Sequence, residues 1–169
     1  MDGVAHQAPL QTFNGPLEAG MRAVALLHSS FPSGYDLQRL TALDYLLVRT
    51  GQLGGPDSLH PSAPIQTPAT EVRRRVVQDG LLLMMTRDLV ARVADAKGFF
   101  YRAGEAATFF LESVQTPYLR ELKLRAEWLV DYLSEHTDAE FDALMHTFFD
   151  RWVQEFQEVE RSFGNGGLP

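Results

Sequence analysis

Apolar residues recur along most of this chain at the three- and four-residue spacing of helices, and in one place they crowd into two strand-like runs. Pro16 suits the first turn of a helix to about Ser30, striped by Leu17, Met21, Val24 and Leu27. After the break Phe31-Pro-Ser-Gly34, Asp36 is a natural N-cap for a second helix. Leu37, Leu40, Leu43 or Asp44, and Leu47 carry its stripe to Thr50, and Gly51 is placed to close it. Thr70 can cap a third helix to Thr86, whose inner face the spacing assigns to Val72, Val76 and Leu83, with Gly80 as its weak point.

Leu89–Asp95 and Phe99–Ala103 are rich in β-branched and aromatic residues and read as an antiparallel hairpin. Lys97 stands at its tip, Gly98 supplies the positive φ of the turn, and alternation turns Phe99 and Tyr101 to the core, leaving Phe100 spare. A short helix over Glu105–Ser113 follows. Leu119, Leu122, Ala126, Leu129 and Leu133 then keep the spacing of a helix–helix seam. A last helix from Asp138 to Phe163 lines up Phe141, Met145, Phe148, Trp152, Phe156, Val159 and Phe163 before Gly164-Asn-Gly-Gly167 stops it.

A helix followed by a two-stranded hairpin is the signature of a winged helix. The expected fold is mainly α with a small β-hairpin: a winged helix-turn-helix followed by a long helical hairpin. The chain divides into a flexible segment 1–15, a winged-helix domain 16–113, a helical hairpin 114–163 and a tail 164–169. Within the winged-helix domain the Gly/Pro-rich loop 51–68 interrupts the helical pattern, and a connection of that length is more often functional than incidental.

Composition narrows the function. With no cysteine in 169 residues, disulfides and thiolate metal sites are excluded, and a reducing cytoplasmic setting is expected. The first fifteen residues lack a basic n-region and an apolar run, and the longest apolar stretch, Leu81–Met85, is far short of a membrane span, so neither export nor a membrane is expected. The net charge of −7 hides an asymmetry: residues 1–69 carry −2, residues 70–102 carry +3 and residues 103–169 carry −8. Only the third helix and the hairpin are basic, so any nucleic-acid contact is confined to them.

The histidines, His6, His28, His60, His136 and His146, form no metal-ligand pattern, no phosphate-binding loop is visible, and no cofactor is implied. Asp57, Ser58 and His60 are the residue types of a catalytic triad, but loop neighbours lack the strand–elbow–helix context that would hold them in register. The expectation is a protein that is not an enzyme. Arg73, Arg74 and Arg75 are the sharp feature, a fan that, with Lys97, could meet a phosphate backbone or an acidic protein partner. The plainer alternative is that Glu71 and Asp79 partly neutralise them and that they only solvate the helix. The aromatic surplus at Phe148, Trp152 and Phe156, and the loop residues Ser58, Leu59 and His60, are candidate protein-partner contacts, although simple packing of the last helix on its predecessor also accounts for the rings.

Several stretches resemble a known family: Phe13-Asn-Gly-Pro-Leu-Glu-Ala-Gly-Met-Arg-Ala-Val-Ala-Leu-Leu27, Asp36-Leu-Gln-Arg-Leu40, Leu43-Asp-Tyr-Leu46, Gly54-Gly-Pro-Asp-Ser-Leu-His-Pro61, Val72-Arg-Arg74, Gly80-Leu-Leu-Leu-Met-Met85 and Tyr101-Arg-Ala-Gly104. Together they look like the middle component of bacterial ABC-three-component systems, over residues 13–135. The resemblance implies a small winged-helix adaptor without catalysis of its own, working with an SMC-like ABC ATPase and a separate effector subunit, with double-stranded DNA met within the complex. Such systems are similar to Lamassu-type antiphage defence. The alternatives are a stand-alone winged-helix transcription regulator, which would usually be basic overall, and a ligand sensor with a pocket between the winged segment and the helical hairpin.

Overall fold

Pro16 opens the first helix, α1 (Pro16–Ser30), where its missing N–H costs nothing. α2 (Leu37–Leu47) starts as its cap predicts, with the Asp36 side chain accepting from the Arg39 N–H at 2.7 Å. The computed structural model describes residues 15–60 and 70–148; all but the last residue of the expected segment 1–15, the second half of the long loop, the expected last helix from 149 to 163 with Trp152 and Phe156, and the tail lie outside the described residues.

The remaining elements are α3 (Thr70–Met85), β1 (Val90–Asp95), β2 (Gly98–Ala103), α4 (Ala107–Ser113), α5 (Pro117–Ser134) and α6 (Asp138–Phe148). The protein is thus mainly helical with one antiparallel hairpin, in which Val90 faces Ala103 and Asp95 faces Gly98. Gly98 has φ of 127°, a backbone state that a side chain would resist. On its far side β2 makes a single bridge to Tyr35, whose N–H and carbonyl pair with Tyr101 at 2.9 and 2.8 Å.

α1 is the centre. It lies against α3 on one side and α5 on another, with α2 closing the group. One apolar cluster runs from Ala19 through Leu40, Leu43, Leu47, Leu81 and Leu111 to Leu119, Leu122, Ala126, Leu129, Phe141 and Met145, joining α1–α4 with α5 and α6 in a common core. α5 buries all five residues of its predicted seam.

Several expectations need correction. α3 is turned from the face that the spacing gave: Val72 is 57% exposed and Leu83 40%, while Val77, Leu81 and Met84 are buried. The reason is Gly80. A Cβ there would stand 2.6 Å from the Pro16 carbonyl and 2.7 Å from the Gly20 N, so a glycine pair lets α1 and α3 cross backbone to backbone. The glycine read as a weak point is the contact point of a continuous helix. α2 stops at Leu47, and a 3₁₀ turn, Thr50–Leu53, follows it; Gly54, with φ of 76°, takes the left-handed position expected of Gly51. α4 begins at Ala107, two residues late. On β2, Tyr101 is buried as expected, but Phe99 is 59% exposed and lies under the Arg92 guanidinium. That end of the hairpin projects beyond the core, so alternation there selects a side without a partner.

Candidate functional site

Two structured regions adjoin the residues that the sequence nominated, and both are built on a charged group placed among apolar neighbours. The first lies beneath α3. Asp44 falls in the leucine stripe of α2 and is 4% exposed; Arg22 lies off the predicted stripe of α1, on a helix buried on more than one side, and is 3% exposed. The packing of α1 against α2 brings them face to face, with Arg22 Nε donating to Asp44 Oδ1 at 2.6 Å. Arg73 then donates from Nη1 to Asp44 Oδ2 at 3.1 Å. One carboxylate holds two guanidiniums and ties three helices together. Breaking such a group leaves a buried charge without compensation, which is the costly direction.

Tyr45 extends the cluster. The Arg49 guanidinium lies 4.1 Å from the centre of its ring and that of Arg73 5.2 Å, while Phe148 of α6 approaches at 6.2 Å between ring centroids. Arg39 sits 3.6 Å over Phe141, so the described rings of α6 meet side chains of α2.

The second region is the loop after the 3₁₀ turn. Gly54-Gly-Pro-Asp-Ser-Leu-His60 is seated on α5 by three contacts. Arg125, buried on α5, donates from Nε to the Asp57 carbonyl at 2.8 Å. Gly55 lies so close to the Trp128 indole that a Cβ would stand 2.5 Å from it. The His60 ring stacks on Tyr118, with Nε2 and the phenol oxygen 3.1 Å apart. Internal bonds complete the loop: Thr50 Oγ1 donates to the Pro56 carbonyl at 2.7 Å, Ser58 Oγ accepts from the Gly51 N–H, and the His60 N–H reaches the Val48 carbonyl. Asp57, Ser58 and His60 therefore face different partners and form no triad. Burial, and after it the positive charge of Arg22 and Arg49, holds the His60 imidazole below its ordinary range; burial pushes the Tyr118 phenol up.

The nominated cations separate. Arg73 turns inward to Asp44, Arg74 is half-buried, and Arg75 is exposed. Lys97 is exposed at the hairpin tip, where its N–H is bound by the Asp95 side chain at 2.8 Å. Ser58 is exposed at the loop surface, whereas Leu59 packs against the core. Sequence reasoning missed Arg22, Tyr118, Arg125 and Trp128. For Asp44 the signal was available, a charge in the middle of the apolar stripe of α2; for Arg22 and the α5 residues there was none, since their partners lie far away in the chain. Among the described residues no group of three or more histidines and carboxylates could hold a metal, and no helix is long and apolar enough to cross a membrane.

Comparison with known proteins gives the same stretch a family. Neither the curated proteins nor the solved structures give a match. The family model described as ABC-three component (ABC-3C) system Middle Component 2 matches residues 12–155, a span that takes in both the buried Arg22–Asp44–Arg73 cluster and the loop on α5. The chain belongs to the middle component 2 family of ABC-three-component systems.

Proposed function

We propose that this chain is a non-catalytic winged-helix adaptor, joining an SMC-like ABC ATPase to a separate effector subunit in an antiviral system similar to the Lamassu type. Family membership supports a role as one component among several. The observation that carries the winged-helix part is the order helix, bridge residue, helix, helix, hairpin, in which Tyr35 pairs with β2 as a minimal third strand. In this arrangement α3 holds the recognition-helix position and β1–β2 forms the wing.

The charges of that surface favour protein contact over operator reading. Arg75, Arg87, Arg92, Lys97 and Arg102 are exposed, but so are Glu71, Asp79, Asp88 and Asp95, and Arg73 is spent on Asp44. A nearly balanced surface gains little from phosphate neutralisation. The polar groups around Asp44 and His60 tie helices and loop together, which is a supporting task.

The test is co-expression with a candidate SMC-like ATPase, followed by size exclusion with light scattering, with and without duplex DNA. Co-elution in both conditions is the expected result. A chain that elutes free of the ATPase and shifts a DNA probe by itself would replace the adaptor with a transcription regulator.

A further inference from the structure

The outward face of α3 carries a seam that matches itself. Val72, Arg75, Asp79 and Leu82 are spaced three, four and three residues apart, the alternation of a two-heptad coiled-coil stripe, and all four are exposed. Val72 is 57% exposed and Leu82 49%, with Leu83 beside them at 40%. Arg75 and Asp79 make no ion pair with another described residue.

We propose that the occupant of this face is a second copy of the chain, docked as an antiparallel α3–α3 pair about a two-fold axis. In an antiparallel pair each residue meets the one at the mirrored position. Setting the axis opposite Val77 brings Val72 against Leu82 of the other copy and Arg75 against Asp79 of the other copy, each contact occurring twice. Apolar layers then lie at both ends and two ion pairs lie between them. The parallel arrangement sets Arg75 on Arg75 and Asp79 on Asp79, so charge selects the antiparallel one. The two-fold makes the interface closed, which fits a dimer and excludes a filament.

The inward face cannot compete for this role, because Gly80, Leu81 and Met84 are committed to α1 and the core. The seam from Val72 to Leu82 is about 15 Å long at about 1.5 Å per residue, too little surface for a permanent dimer. A reversible, concentration-dependent dimer follows, strengthened where an assembly holds two copies near one another. This inference is independent of the adaptor reading.

The experiment is sedimentation equilibrium of the full chain from about 10 μM to about 1 mM, the range that brackets a weak interface. The wild type is expected to rise from monomer toward dimer mass. Arg75→Asp and Asp79→Arg, each of which sets like charges opposite one another, are expected to hold the chain monomeric by at least a tenfold weakening. The double exchange restores opposite charges and should restore dimerisation. Circular dichroism on each variant confirms that the exposed substitutions leave the helices folded. A wild type that stays monomeric to the top of the range overturns the proposal, as does a dimer that both single reversals leave unchanged.

Discussion

Arg73 and Arg75 lie two positions apart on α3, about 200° around the helix, and their surroundings have little in common. Arg73 reaches across to a carboxylate that already holds Arg22, with a tyrosine ring beneath it. Arg75 stands in solvent between Val72 and Asp79. The inner face is bound by groups from α1 and α2, so its charges are structural; the outer face offers charge and apolar surface that no described element uses. The lesson is that a run of three arginines is not one feature. A helix distributes successive residues around its axis, and the crossing with α1 decides which of them remains outside.

The sharpest way to break the inner side is at its single acid. Asp44→Asn removes the buried carboxylate that Arg22 and Arg73 share and should cost about 3–5 kcal/mol, read from denaturant unfolding. Gly80→Ala attacks the crossing itself. Its methyl would meet the backbone of α1, and a loss of about 1–3 kcal/mol is expected in the same assay, against the usual gain of alanine over glycine inside a helix. Arg73→Ala should cost less, about 1 kcal/mol, because Arg22 still serves Asp44 and the Arg73 side chain is 31% exposed.

His60 adds a pH arm. Its folded-state pKa lies below the ordinary value of 6.5, so the unfolded chain takes up the proton more readily. Its contribution is therefore complete above pH 6.5 and is lost as pH falls through that value toward the folded pKa. Thermal melts from pH 8 to pH 5 should show this decline, and His60→Gln should flatten it. The smallest effect belongs to the outer side: Arg75→Ala should change monomer stability by no more than about 0.5 kcal/mol, measured by the same unfolding. A large loss there would erase the distinction between the two faces.

Much of this was legible beforehand because it depends on neighbours in the chain. The cap at Asp36, Pro16 in its first turn, the glycine of the hairpin and the seam of α5 are all local, and each element formed close to where its pattern put it. The stretches that resemble the middle component family were also readable, and the family model covers them. The rotation of α3 was not. Val72, Val76 and Leu83 keep helical period as well as Val77, Leu81 and Met84 do, and periodicity cannot choose between two apolar sides.

The sequence by itself determined the helices, the hairpin, their order and the family. Tertiary structure decided which side of α3 is inside, that Asp44 gathers Arg22 and Arg73, and that the glycine-rich loop is seated on α5 by Arg125, Trp128 and Tyr118. The physical reason is one of range. Hydrogen bonding and side-chain period act within a turn or two, whereas the pairing of buried charges and the fit of one glycine against another require elements 22 to 68 residues apart to meet.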